Sequence, residues 1–528
     1  MIPTPVRFVP DNALASATGA ADPPRTMDTL RRLAPVLLPG LLLLAAVTLL
    51  GAWLCDDAYI TFRTVENLAE GRGARWNPLE RVQSYTHPLW MLLLTAARAV
   101  SGEIYVTSLV LSLLLSWTAA ALLALQAGPR RDAAFLALLA LALSRSFVDY
   151  STSGLENPLT HLLLVLWLRD WWTQAACPTP AGARRLGLLA SGVLLCRLDL
   201  AVLLAPAFAA LLIQRRDRAL LGALAAGFLP LLAWEVFSVI YYGVPFPNTA
   251  YAKLGAGIPL SAYVSQGFTY LGASALFDPL AAALILAGLH AGALRRGAAA
   301  GPVALGVLLY LGYVVRIGGD FMAGRFLTAP LVAVLVLLLR GPLPRPRAMA
   351  GAAVILVALA FLAPDPVLRC GPRFGLDRAD AVADNGVADE RAFYYPTTGL
   401  LRAQRGEHRI EHPWAVQGRR ARAQGLQVAT RRPIGFYGFF AGPDCHVVDL
   451  FGLSDPLTAR LPVRTDKEWR VGHLERALPI GYLESVRRPE TGITDPDLAA
   501  LDRRLRLVTR GPLFDAARWR AIVELNSP

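Results

Sequence analysis

Runs of apolar residues separated by short polar breaks fill the first two thirds of the chain. Read at membrane length, they predict helical spans at 33–54, 104–126, 132–148, 157–172, 185–197, 199–214, 218–242, 277–294, 299–315, 325–340 and 349–363, about eleven in all. Several are short for a full crossing, so tilt or kinking is expected of them. Two further stretches, about 57–70 and about 88–100, have a helical pattern within the first loop. If 88–100 crossed the bilayer, every later loop would change sides, so both are read as helices lying along the outer interface. His87-Pro88 starts the second of them and Trp90 is its expected interfacial anchor. After residue 364 the long apolar runs stop, charges become dense, and short β-like pieces such as 433–438 and 446–450 alternate with turns. This predicts three parts: a disordered cytoplasmic N-terminus (1–32), a transmembrane domain (33–364) and a soluble extracytoplasmic α/β domain (365–528) of ordinary domain size.

Composition sharpens the class. A mean hydropathy of +0.43, with 55% hydrophobic and 17% charged residues, excludes an ordinary soluble enzyme and fits a mainly α, polytopic membrane protein. The net charge of +13 would suit nucleic acid, but no basic helix or aromatic-basic module accompanies it. Much of the arginine sits instead in short loops such as Arg130-Arg131, Arg184-Arg185 and Arg295-Arg296. That is the positive-inside pattern; it puts the N-terminus inside and the C-terminal part outside. The five cysteines show no metal spacing. Cys370 and Cys445, both in the expected outer part, are candidates for a disulfide.

The chemistry gathers behind the first span. Asp56-Asp57 places two acids at the mouth of a membrane helix, where charge is costly and marks function. One acid can cap the helix expected to start near Ala58. Their mutual repulsion raises the pKa of one, leaving a carboxylate able to act as a base, bind a divalent cation or hold a sugar hydroxyl. Asp57 is the better placed to cap and Asp56 the preferred reacting group. Tyr59, Arg63, Tyr85, Thr86 and His87 follow, a polar and aromatic group suited to a sugar. The polar clusters fall on one side of the membrane, which favours an enzyme over the alternative of a flippase or transporter of lipid-linked sugars.

The string DDAYITFRTVENLAEGRGARWNPLERVQSYTHPLW resembles the first outer loop of GT-C fold membrane glycosyltransferases. More narrowly it is similar to the AftB-type terminal β-(1→2)-arabinofuranosyltransferase family. Further pieces match in order: Tyr150 to Glu156, Tyr242-Gly243 with Pro247-Asn248-Thr249-Ala250-Tyr251-Ala252-Lys253, Gly318-Gly319-Asp320-Phe321-Met322 with Gly324-Arg325-Phe326, and Asp449 to Pro456. The resemblance spans about residues 34–480. It implies a GT-C bundle, a decaprenyl-phosphoryl-D-arabinofuranose donor, a glycan or glycoprotein acceptor and transfer on the outer face of the cytoplasmic membrane. It also implies a catalytic acid at Asp56 or Asp57, in some members with a divalent cation. Most GT-C acids act as a base with inversion. AftB-type enzymes join β-donors into β-linkages, a net retention that a single base-assisted displacement does not give. An anionic leaving group at the membrane surface needs cations there. Arg197, Lys253 and Arg325 are the candidates, with Glu156 and Asp320 binding sugar hydroxyls or pairing those arginines, and Asn248 in the matched loop. No catalytic group is assigned to the C-terminal part. His446, Asp449 and Asp455 are read as strand-end and turn polars, and the part as a positioner of the acceptor glycan.

Overall fold

The computed structural model describes residues 26–214, 217–253, 256–295, 298–342, 346–370, 374, 382–402, 410–464 and 469–527; the expected disordered start lies mostly outside them. The protein is mainly helical. The first helices are α1 (Thr26–Leu50), α2 (Asp56–Ala69), α3 (Pro88–Ser101), α4 (Tyr105–Ala124), α5 (Arg131–Leu143), α6 (Arg145–Asp149), α7 (Asn157–Ala176) and α8 (Pro180–Cys196). Next come α9 (Ala201–Gln214), α10 (Arg218–Gly227), α11 (Leu229–Tyr242), α12 (Asn248–Lys253), α13 (Leu260–Phe277), α14 (Pro279–Leu294), α15 (Ala300–Arg316), α16 (Thr328–Leu339) and α17 (Pro346–Phe361). The C-terminal part carries α18 (Glu390–Thr398), α19 (Pro413–Ala423), α20 (Gly435–Ala441), α21 (Tyr482–Ser485), α22 (Pro496–Arg510) and α23 (Ala516–Asn526).

Helices occupy all the predicted spans, but few are long. Among the described residues, Leu33–Leu50 and Tyr105–Ala127 are long and apolar enough to cross a membrane unaided. The pair α10–α11 is bent by 50° and α13–α14 by 111°. α16 lies at the centre of the bundle, buried along almost its whole length. Around it, Leu38, Ile213, Leu286 and Val354 project outward from α1, α9, α14 and α17, apolar side chains that suit contact with lipid. α13 was not expected, because 243–276 reads as a loop. It is held by close approach: a β-carbon on Gly319 would collide with Tyr270 of α13, and the Tyr270 hydroxyl donates to the Met322 carbonyl at 3.2 Å.

The two loop helices form where expected, at α2 and α3. Trp90 is not an interfacial anchor: it is fully buried and its indole N–H donates to the Gly154 carbonyl at 3.0 Å. Gly154 adopts φ +85°, and a β-carbon there would press on Ala58 at 2.6 Å, so this tight turn seats the start of α2.

The C-terminal part is mainly helical rather than α/β. Its sheet, among the described residues, is one parallel pair, β1 (Val428–Arg431) with β2 (His446–Asp449), in register Val428 to His446. Of the 433–438 piece read as β-like, residues 435–438 form the start of α20. This part does not stand apart from the bundle. Tyr59 and Phe62 of α2 share one apolar cluster with Tyr394, Ala415 and Phe436. A buried ionic network joins the two as well: Asp149 lies 2.6 Å from Arg391 and 3.4 Å from Arg145, and Arg145 reaches Asp365 at 3.2 Å and Asp389 at 2.5 Å. Cys370 and Cys445 are both free thiols, so the candidate disulfide is absent.

Candidate active site

The site starts at the α2 N-terminus. Cys55 occupies the cap position in extended conformation (φ −94°, ψ 167°) and gives no side-chain cap. Neither aspartate caps the helix; both fall in its first turn, where the helix dipole favours negative charge. Asp56 is buried and turns its carboxylate to the N-terminus of α20. It accepts the Gly435 N–H at 3.0 Å and the Phe436 N–H at 2.6 Å. Position 435 must be glycine, since a β-carbon there would strike the Asp56 carbonyl oxygen. Burial pushes the Asp56 carboxyl up to about 7 against these two bonds, with Asp57 adding to the rise.

Asp57 behaves differently. Its carboxylate takes no hydrogen bond or ion pair among the described residues. Burial raises its pKa above the ordinary carboxylate value, and Asp320 adds to this while Arg325, Lys253 and His87 oppose it. The residue faces a cavity of about 190 Å³, room for a small polar ligand rather than a few waters. Asp56, Asp57 and Thr61 form one wall; Tyr85, Thr86 and His87 another; Lys253 and Arg325 bring positive charge; Glu390, Tyr394, Trp414, Arg470 and His473 close it from the C-terminal part.

Behind this lining sits a charged frame. Glu156 is fully enclosed and binds Arg325 at 3.0 Å and His87 Nδ1 at 3.1 Å, with Arg197 at 3.9 Å. Burial works to raise Glu156, but Arg325, His87 and Arg197 outweigh it and hold the carboxyl well below its usual range. The other His87 nitrogen lies 2.8 Å from the Thr61 hydroxyl. Asp320 accepts the Phe321 N–H at 2.8 Å and faces Arg325 at 3.6 Å. Arg325 is thus aimed by two acids from different loops, while Lys253 is exposed at the end of α12 and unpaired among the described residues.

Of the residues expected at the site, Asp56, Asp57, Tyr85, Thr86, His87, Lys253 and Arg325 line one cavity, with Glu156 and Asp320 bonded to that lining. Four do not reach it. Tyr59 is packed among Phe62, Phe436 and Phe439, with ring centroids 4.7–5.0 Å apart. Arg63 donates to the carbonyls of Trp76 (2.9 Å), Gly438 (2.6 Å) and Cys445 (2.8 Å), tying the first loop to the C-terminal part. Asn248 donates to the Gly452 and Asp455 carbonyls at 2.8 and 2.9 Å. Arg197 pairs with Asp199 at 2.6 Å and the Tyr310 hydroxyl at 3.0 Å, behind Glu156.

Sequence reasoning missed Glu390, Trp414, Arg470 and His473. They stand in no local motif; the one hint was the density of charge after residue 364. His446, Asp449 and Asp455 are structural, as expected. Asp449 accepts the N–H groups of Phe451, Leu453 and Ser454, and Asp455 accepts those of Leu457 and Thr458. No group of three or more His, Cys, Asp or Glu side chains placed to hold a metal ion occurs among the described residues.

No family model matches the chain. In an alignment 526 positions long that covers 81% of each chain, it is 29% identical to a terminal β-(1→2)-arabinofuranosyltransferase of Mycobacterium tuberculosis. A protein of the same name from Corynebacterium glutamicum is 30% identical in an alignment 334 positions long that covers 54% of this chain and 47% of that one.

Proposed function

We propose that this chain, a relative of the terminal β-(1→2)-arabinofuranosyltransferases, is itself a membrane glycosyltransferase. It moves D-arabinofuranose from a polyprenyl-phosphate donor to an extracytoplasmic glycan. The observation that carries this reading is the free Asp57 carboxylate facing Lys253, Arg325 and Arg470 across one cavity. A sugar phosphate needs that polarity, with cations on the departing phosphate and a carboxylate near the carbon that becomes positive.

The bond from sugar C1 to phosphate oxygen breaks, and its electron pair leaves with the polyprenyl phosphate, held by Arg325, Lys253 and Arg470. The acceptor hydroxyl oxygen bonds to C1, and its proton passes to the departing phosphate. Asp57 faces C1 and stabilises its positive charge, so attack from the leaving-group side keeps the anomeric configuration. Asp56, with both oxygens committed to α20, holds the C-terminal part against the reacting centre. Disruption of the gene, followed by mass spectrometry of the envelope glycans, tests the reading. Loss of terminal arabinofuranose, restored by the wild-type gene and not by Asp57→Ala, is expected. Unchanged glycans would overturn it.

A further inference from the structure

Glu390 is the carboxyl that the C-terminal part brings into the cavity, and its backbone is fixed on both sides. Ala388 before it is paired with the loop carrying Asp320: the Ala388 N–H donates to the Phe321 carbonyl at 2.6 Å, and the Ala323 N–H to the Ala388 carbonyl at 3.0 Å. Asp389 caps α18 through the Ala392 N–H at 3.0 Å and also binds Arg145. Arg391 on the other side is 2.6 Å from Asp149. Between these clamps Glu390 is 7% exposed, lines the cavity, and takes no side-chain hydrogen bond or ion pair among the described residues. Enclosed polar groups are almost always partnered. One that is rigidly presented to a cavity with no protein partner is placed for a ligand.

We propose that Glu390, as a neutral carboxylic acid, is the group that hydrogen-bonds the hydroxyls of the transferring sugar, donating through its O–H and accepting through its C=O. The inference rests on the transferase reading above. A neutral acid both donates and accepts, whereas a carboxylate only accepts; the first matches adjacent sugar hydroxyls. The surroundings favour the neutral form. Burial comes first, then the charges of Asp57, Asp320 and Asp56; Arg470 opposes them, and Cys55, Tyr150 and Tyr394 are the other titratable neighbours. Together they lift Glu390 well above the ordinary carboxylate range. A second carboxylate beside Asp57 would be repelled; a neutral acid is not.

The test uses the full-length protein in lipid nanodiscs, with a short-chain polyprenyl-phosphoryl-β-D-arabinofuranose, the same polyprenyl phosphate without sugar, and an arabinoside acceptor. Glu390→Ala is expected to weaken binding of the sugar-bearing lipid by about 10- to 100-fold and to leave the bare lipid phosphate unaffected. Glu390→Gln keeps a donor and an acceptor. It is expected to stay within about tenfold of wild type and to lack the loss of activity expected of wild type as pH rises. Its unfolding midpoint at pH 8 should not fall below wild type, since it removes a buried ionisable group. Glu390→Gln as inactive as Glu390→Ala at every pH would overturn the proposal, because it would make the ionised form the working one. Equal binding of both lipids by wild type and Glu390→Ala would overturn it too, and would leave the transferase reading standing. Wild type that binds the donor but transfers nothing would instead remove the transferase reading, with the sugar contact still decided by the two affinities.

Discussion

Docking of the C-terminal part onto the bundle depends on a charge cluster that water does not reach. The side chains of Arg145, Asp149 and Arg391 are each exposed by 2% or less. Asp149→Asn removes the ion pair of Arg391, whose guanidinium then keeps, among the described residues, only its stacking on Phe374 at 4.2 Å. Arg145 keeps Asp365 and Asp389. Breaking one side of a buried pair costs about 3–5 kcal/mol, because the other charge stays buried and uncompensated. At about 1.4 kcal/mol per tenfold, local opening of α18 should become roughly 100- to 4,000-fold more frequent. Hydrogen exchange of the α18 amides reads this directly. Arg391→Met should do the same. Together, Asp149→Asn and Arg391→Met replace the pair by neutral groups of similar size, which is often nearly neutral. The double variant is therefore expected to exchange more slowly than the product of the two single effects, with a coupling of at least about 1 kcal/mol. Transfer should fall in the single variants, since Glu390 and Tyr394 ride on the same helix. Additive effects, or single variants within about twofold of wild type, would refute this view of the interface.

Other outcomes separate the groups at the site. Asp57→Asn should lower turnover by about 100- to 10,000-fold and leave exchange across α2 and α20 unchanged, because the carboxylate holds no protein group. Asp56→Ala at pH 6 should show the reverse emphasis: faster exchange in α20, by about 1–3 kcal/mol of lost protection. The folded-state value of Asp56, about 7, lies above its ordinary 3.8. Its contribution to stability is therefore full below pH 4 and is lost as pH rises through 7. The unfolding midpoint of Asp56→Asn should accordingly fall less between pH 5 and 8 than that of wild type. Arg325→Ala leaves Glu156 without its nearest arginine, so a loss of about 3–5 kcal/mol and a raised donor KM are expected, only partly recovered by lysine, which lacks the planar fork.

Hydropathy alone located the bundle helices, because burial against neighbours and against lipid both select apolar runs. It missed α13, whose Ser, Gly, Gln and Tyr residues break the run; that helix is held by packing of Tyr270 on Gly319, a contact 49 positions apart in the numbering of the chain. The double aspartate lines the cavity where its pairing pointed, but the different surroundings of its two carboxylates were not legible. Asp56 is committed by partners 379 and 380 residues away, and nothing local announces them. The same long-range capping accompanies a helix over 435–438, where the alternation of 433–438 suggests a strand. Arg63 and Tyr59 looked like sugar-binding residues for a related reason. Polar and aromatic groups beside a membrane serve equally to weld a loop to a second layer of protein, and only the carbonyls around Arg63 tell the two uses apart. Glu390, Arg470 and His473 belong to the cavity through folding, not through spacing.

The most direct measurement is made on the purified protein with short-chain polyprenyl-phosphoryl-β-D-arabinofuranose and an arabinoside acceptor, with the product followed by mass spectrometry and its anomeric configuration read by NMR. Wild type is expected to add one pentose in β-linkage and Asp57→Asn to add essentially none while remaining folded. Full turnover by Asp57→Asn, or no pentose transfer by wild type, would contradict the account.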